Sequence, residues 1–279
     1  MIGGGEANAA WIASSIGLLD MQNEQKEILK NINNIDELMF SNVTSHLVYQ
    51  VLNAPIREYP YPHFFNTNVF PQNFYAEIMK HMPEANNYET LKEQGLINNA
   101  DDVLKNFGRR GVITLHDDKI QLIDEGIRDF WLELAKILMS PDFLIPLFVK
   151  FRPWITDEHG ELLEIPYTTE ISLFRDTEMW QMDPHTDQRN EILGLFLYLP
   201  PDDSISHLGT SVYTPKEPGF AAEGSNRFPR KFFNIAYTAP FLPNSVFGFF
   251  RNNTAFHGVD YMKKTGDVRN LMTIQVIKQ

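Results

Sequence analysis

Residues 180–200 read WQMDPHTDQRNEILGLFLYLP, and the second half of this stretch decides the fold. Ile192 to Pro200 (ILGLFLYLP) is an apolar run too short for an ordinary globular helix, closed on both sides by polar turn residues. Such a run predicts a strand. Working outward, the same texture recurs from about residue 145 in LFVKF (147–151), ELLEIP (161–166), EISLF (170–174), TSVYT (210–214), FFNIAYT (232–238), SVFGFF (245–250) and LMTIQVI (271–277). The segments DEHGE, PPDDS, PKEPG and KTGD punctuate them as turns. Short strands at this spacing predict a sandwich or jelly roll. Apolar residues at three- and four-residue spacings predict helices earlier in the chain, over 6–53, 73–82, 88–93 and 124–138, with Asp124 as an N-cap. Pro55, Pro60 and Pro62 interrupt them, and PYPHFF reads as extended chain. The expected fold class is α+β, a jelly roll with N-terminal and buttressing helices. Residues 1–60 form a helical extension packed on the core, and 61–279 form the domain, with its jelly-roll core from about 145.

Composition narrows the chemistry. The 279 residues include 43% hydrophobic and 13% aromatic side chains, ample for a large core and too rich for disorder. A formal charge of −12 argues against nucleic-acid and anionic-membrane partners, since neither phosphate backbone nor headgroups would be attracted. With no cysteine, disulfides, thiolate zinc sites, iron–sulfur clusters and thiol nucleophiles are all excluded, so any metal must be held by His, Asp or Glu. Gly3–Gly5 has no preceding strand and no following Gly-Lys-Ser/Thr, which excludes a phosphate loop. The N-terminus lacks a basic segment and soon meets Asp20, Glu24 and Lys26, and no apolar run reaches membrane-span length. A cytoplasmic protein is expected.

Three His-x-Asp/Glu pairs occur: His116/Asp118, His159/Glu161 and His185/Asp187. Chance composition supplies about one, so a pair alone is weak. The first two lie in LHDDK and DEHGE, polar tips between apolar segments, where exposure in a turn explains them. His185 and Asp187 instead lie directly before the most apolar strand. Residues i and i+2 of a strand share a face, so both can reach one ion, and a remote third ligand would complete a facial triad with open positions opposite. His257, in SVFGFFRNNTAFHGV, is that third candidate. Gly258 behind it lets a backbone or ligand come close, and Arg269 opens the last strand.

The ordered set HTD, then HGV, then a basic residue on the final strand resembles the 2-oxoglutarate/Fe(II) dioxygenase superfamily, nearest to its prolyl-hydroxylase-like and phytanoyl-hydroxylase-like branches. The likeness runs from about Phe148 to the C-terminus. It implies a double-stranded β-helix, Fe(II) held by His185, Asp187 and His257, and 2-oxoglutarate and O2 as co-substrates. It implies hydroxylation of an unactivated C–H bond in a small molecule or biosynthetic intermediate, with succinate and CO2 released. Because Asp187 fills the position that halogenating relatives leave open, hydroxylation is favoured. Arg269 is the residue implied for the distal carboxylate of 2-oxoglutarate, a match of planar guanidinium to carboxylate. It shares a strand face with Leu271 and Thr273. Its spacing of twelve from His257, where the family usually shows about ten, leaves Lys264 as a rival. Thr273, Arg175 and Tyr213 are further cofactor-binding candidates. Trp180, Phe256, Arg189 and Asn253 lie near the ligand motifs, where packing or a solvated rim explains them equally well.

Two other readings stay open: hydroxylation of a peptide or protein side chain, and a cupin-like sugar- or metal-binding module without redox activity. A zinc hydrolase would need a helical His-Glu-x-x-His or a paired general base, and neither is found. The N-terminal helices are the expected surface for a homodimer, with packing on the sheet as the default. Pro215 to Arg230, rich in Gly, Pro and charge, is the expected substrate lid.

Overall fold

A computed structural model describes residues 40 and 42–279, apart from 94–107, 116, 160–164 and 225. Thr44–Gln279 forms one compact unit. Its helices are α1 (Val43–Asn53), α2 (Gln72–Lys80), α3 (Glu125–Met139) and α4 (Pro141–His159). Its strands are β1 (His63–Thr67), β2 (Glu89–Thr90), β3 (Arg110–Thr114), β4 (Tyr167–Asp176), β5 (Met182–His185), β6 (Glu191–Tyr198), β7 (Thr210–Pro215), β8 (Phe233–Ala239), β9 (Ser245–Phe250), β10 (His257–Val259) and β11 (Arg269–Lys278).

They form two antiparallel sheets, one ordered β1-β9-β6-β11-β4-β3-β2 and the other β5-β10-β7-β8. The sheets face each other across a core that includes Tyr198, Phe247 and Phe249 from the larger and Val212 and Ala239 from the smaller. The Tyr198 hydroxyl donates to Thr210 Oγ1 across the gap at 2.7 Å. This is the jelly-roll, double-stranded β-helix architecture expected from the strand texture.

The β6 and β9 runs read as continuously apolar because both faces are covered. The inner residues Phe196 and Tyr198 meet the smaller sheet. On the outer side α4 closes over β1 and β9, with Phe151 6.0 Å from Phe64 and Lys150 over the Phe64 ring at 4.9 Å. Gly248 makes room for that ring, since a Cβ there would lie 2.4 Å from Phe64 Cε1. One helix face of α4 (Phe143, Leu144, Leu147, Phe148, Phe151, Ile155) is buried.

Three expectations change. LFVKF is not a strand; it lies inside α4, where burial at three- and four-residue spacing overrides Pro146 and Pro153. Residues 88–93 are not a helix: Glu89 and Thr90 pair with β3, and the Glu93 carboxylate then accepts from the Thr90 N–H and hydroxyl. The sheet also begins well before residue 145, because β1, β2 and β3 extend its two edges. At α3 the N-cap position is Asp124 as read, yet its side chain makes no capping bond. Of the helix expected over 6–53, the described part is α1. The homodimer surface and the boundary near residue 60 depend on residues 1–39, outside the described residues. No helix among the described residues is long and apolar enough to cross a membrane.

Candidate metal centre

His185 is the last residue of β5, and Asp187 follows just beyond it rather than on the strand. β10 pairs antiparallel with β5 so that His257 lies directly opposite His185. The rings stand 4.4 Å apart, and Asp187 Oδ1 is 3.7 Å from His185 Nε2 and 3.5 Å from His257 Nε2. Ligand atoms from all three lie within 4.8 Å of one another, the one such cluster of three among the described residues. His159 ends α4 outside this cluster, while His116 and Glu161 lie outside the described residues.

Both imidazoles are oriented by main chain. His185 Nδ1 meets the Asp183 carbonyl at 2.9 Å and His257 Nδ1 the Ala255 carbonyl at 3.1 Å. A proton on each Nδ1 leaves the Nε2 lone pairs turned to Asp187, as metal ligation requires. Burial lowers both histidine pKa values, His257 to about 4, so both rings are neutral near pH 7. Burial raises Asp187 to about 7, despite the pull of Arg251 the other way, so a cation entering here competes with a proton. Two neutral imidazoles and one carboxylate, with no thiolate, form a donor set suited to Fe(II).

Gly258 is required for this approach. A Cβ there would sit 2.4 Å from the Met182 carbonyl oxygen across the β5–β10 pair. Gly258→Ala should therefore cost ~1–3 kcal/mol and weaken metal binding by parting the two histidines. Thermal unfolding and a metal titration check this; a variant with wild-type values for both would remove the constraint.

The cluster opens into a cavity of about 170 Å³ lined by Arg110, Phe174, Met182, Phe196, Thr210, Val259, Arg269, Leu271, Thr273 and Gln275. Arg269 is 1% exposed; its Nε donates to the Leu208 carbonyl at 2.8 Å and its Nη1 to Asp176 Oδ2 at 2.8 Å. Thr273, 6% exposed, has a hydroxyl with no partner. Lys264, the rival to Arg269, lies exposed in the loop before β11 and does not reach the cavity.

Two cofactor-binding candidates are not brought to the cavity. Arg175 alternates with Phe174 and Asp176, so it projects from the opposite face of β4, where Nη1 meets Asn270 Oδ1 at 3.4 Å. Tyr213 alternates with inward-facing Val212 and joins Phe256, Phe233 and Ala222 in a separate cluster. Trp180 is core, while Arg189 and Asn253 are exposed. The expected lid is stapled to the metal segment: Thr186 Oγ1 donates to the Ala222 carbonyl at 3.1 Å and the Phe228 N–H to the Pro184 carbonyl at 2.9 Å. These bonds hold it to the backbone on either side of His185.

Three contributors escape sequence reading. Arg110 comes from β3, far from the motifs. Asp176 is fully buried between Arg110 and Arg269. Arg251 is 1% exposed and binds the Asp187 carbonyl. The only sequence signal for the last is its place directly after β9, where a charged residue follows six apolar or small ones.

No family model and no curated protein matches this chain. Solved structures do. An oxidoreductase of the 2OG-Fe(II) oxygenase family from Burkholderia pseudomallei is 12% identical, with a TM-score of 0.45 over 84% of this chain and 89% of that one. SnoK, a non-heme alpha ketoglutarate dependent carbocyclase from nogalamycin biosynthesis, is 10% identical, with a TM-score of 0.46 over 85% and 83%. HygX from Streptomyces hygroscopicus, solved with nickel, 2-oxoglutarate and hygromycin B bound, is 11% identical, with a TM-score of 0.41 over 77% and 82%. The chain is similar to 2-oxoglutarate/iron enzymes. At such identities and TM-scores, what the protein does must be read from the side chains of the cavity itself.

Proposed function

We propose that the protein is a 2-oxoglutarate- and O2-dependent Fe(II) oxygenase that hydroxylates an unactivated C–H bond of a small molecule or biosynthetic intermediate. The observation that carries this is the convergence of His185, Asp187 and His257 in one cavity that a buried guanidinium, Arg269, also lines. Two imidazoles and a carboxylate would hold Fe(II) on one face and leave the opposite positions open. Arg269 would take the distal carboxylate of 2-oxoglutarate, and the unpartnered Thr273 hydroxyl, four residues along the same face of β11, offers a further donor to the cavity. Held there, Fe(II) with 2-oxoglutarate would supply O2 activation, the co-substrate being oxidised to succinate and CO2. The chain itself does the rest. The carbonyls of Asp183 and Ala255 hold the imidazole tautomers, while Phe174, Phe196 and Leu271 keep the cavity walls apolar and exclude water.

The test is Fe(II) and 2-oxoglutarate added to apoprotein without oxygen. Wild type should develop the weak visible charge-transfer band of the chelate, and His185→Ala should not. A folded, iron-loaded wild type without the band would sink the oxygenase reading in favour of a non-redox binding module.

A further inference from the structure

Arg110, Asp176 and Arg269 form a buried triad of two cations on one anion. Arg110 grips Asp176 with both edges of its fork, Nε to Oδ1 at 2.5 Å and Nη2 to Oδ2 at 2.8 Å. Arg269 Nη1 donates to that same Oδ2 at 2.8 Å. Two bonds to one oxygen bring the guanidinium groups within about 6 Å of each other, where like charges repel strongly out of water. The side chains of Asp176 and Arg269 are 0% and 1% exposed, and that of Arg110 only 12%. Aromatic rings fix both arginines: Arg110 lies 4.5 Å over Phe174 and 4.3 Å over Trp180, and Arg269 4.8 Å over Phe241.

The triad carries one positive charge more than its own carboxylate balances. The other carboxylate of the cavity, Asp187, faces the two imidazoles and belongs to the metal. A buried unmatched charge is costly, so the triad is complete only when an anion enters beside it. Without Arg110, Asp176 and Arg269 would be a neutral pair with little pull on a carboxylate. With Asp176 already held by the Arg110 fork, the charge of Arg269 remains available to a ligand. Resting on the oxygenase reading, we infer that Arg110 is a positioning residue for the co-substrate: by sharing the Asp176 carboxylate it stops Asp176 from neutralising Arg269, and so leaves the Arg269 charge for the distal carboxylate of 2-oxoglutarate.

The experiment is anaerobic titration of the Fe(II)-loaded full chain, followed by the charge-transfer band, with 2-oxoglutarate and with 2-oxobutanoate, which has the same chelating head but no distal carboxylate. Arg110→Met should weaken 2-oxoglutarate by about ten- to a hundred-fold, the range for one charge-assisted hydrogen bond. It should leave 2-oxobutanoate unchanged. Adding Asp176→Asn to that variant restores the single unpaired charge on Arg269 and should recover most of the lost affinity. If Arg110→Met does not fold, Arg110→Gln is read in the same way. Unchanged 2-oxoglutarate affinity, an equal loss for both ligands, or a double variant weaker than the single one would each overturn the inference while leaving the oxygenase reading intact. A wild type that gives no band with either ligand would overturn both.

Discussion

Asp187→Asn should abolish Fe(II)-dependent turnover and yet stabilise the metal-free protein at neutral and alkaline pH. Asp187 is the one anionic group of the cluster, 3.5–3.7 Å from both imidazole nitrogens, and removing it leaves two neutral ligands. Metal affinity should fall at least about a hundred-fold. The stability effect has the opposite sign. Burial raises the Asp187 pKa to about 7, above the usual value of 3.8 for an aspartate. Between those values the folded state holds the proton more tightly than the unfolded chain, so the metal-free wild type loses stability as pH rises from about 4 to 7. The cost at its upper end is on the order of a few kcal/mol. An amide in place of the carboxyl carries no such penalty. Thermal unfolding of both apoproteins from pH 4 to 8 reads this directly; curves that stay parallel over the whole range would mean that Asp187 is ionised in the empty site. Fe(II) should then reverse the order, stabilising wild type alone.

Arg251→Met should be the most damaging substitution outside the metal ligands. The Arg251 guanidinium is almost wholly buried and ties three segments together. Its Nε donates to the Asp187 carbonyl at 3.1 Å, its Nη2 to the Glu223 carbonyl at 2.8 Å, and its Nη1 lies 3.8 Å from Glu158 on α4. Methionine fills much of the volume but removes the donor from the Asp187 carbonyl and from that of the exposed Glu223, a loss of ~1–3 kcal/mol. Because one of those carbonyls is that of the metal-binding aspartate, Fe(II) affinity should drop about ten-fold or more alongside the melting temperature. Lower stability with wild-type Fe(II) affinity would make Arg251 a purely structural clamp. Arg251→Lys, which keeps a charge but cannot span both carbonyls, should fall between the two.

How much of this was legible beforehand follows from the range over which each residue acts. A short apolar or alternating segment announces itself locally, so β6 and β9 are legible from their apolar runs, β11 from its alternation, and the jelly roll from the number of such segments. His185 and Asp187 share one turn of sequence, and His257 carries its own glycine, so the cluster could be assembled from short motifs. Where two local signals competed, sequence alone misjudged them. LFVKF suits a strand by composition, and only the packing of Phe148 and Phe151 against the sheet makes it helical. Residues 88–93 join the sheet because β3 offers them an edge.

Alternation along β11 pointed Arg269, Leu271 and Thr273 to one side, and the cavity lies on that side. The same rule could not tell which side Arg175 and Tyr213 take, because that depends on register with partners elsewhere in the chain: Arg175 is set opposite Asn270, Tyr213 opposite Ile235. Arg110, Asp176 and Arg251 have no motif of their own. Arg110 and Asp176 stand 66 positions apart, and Arg251 meets Asp187 across 64. What the sequence by itself determined was therefore the apolar strands β6, β9 and β11 and the candidate ligand set His185, Asp187 and His257, both written in short-range pattern and spacing. Only the tertiary structure decided that Arg110, Asp176 and Arg251 gather around them, because a buried ion pair is defined by which distant side chains lose water together.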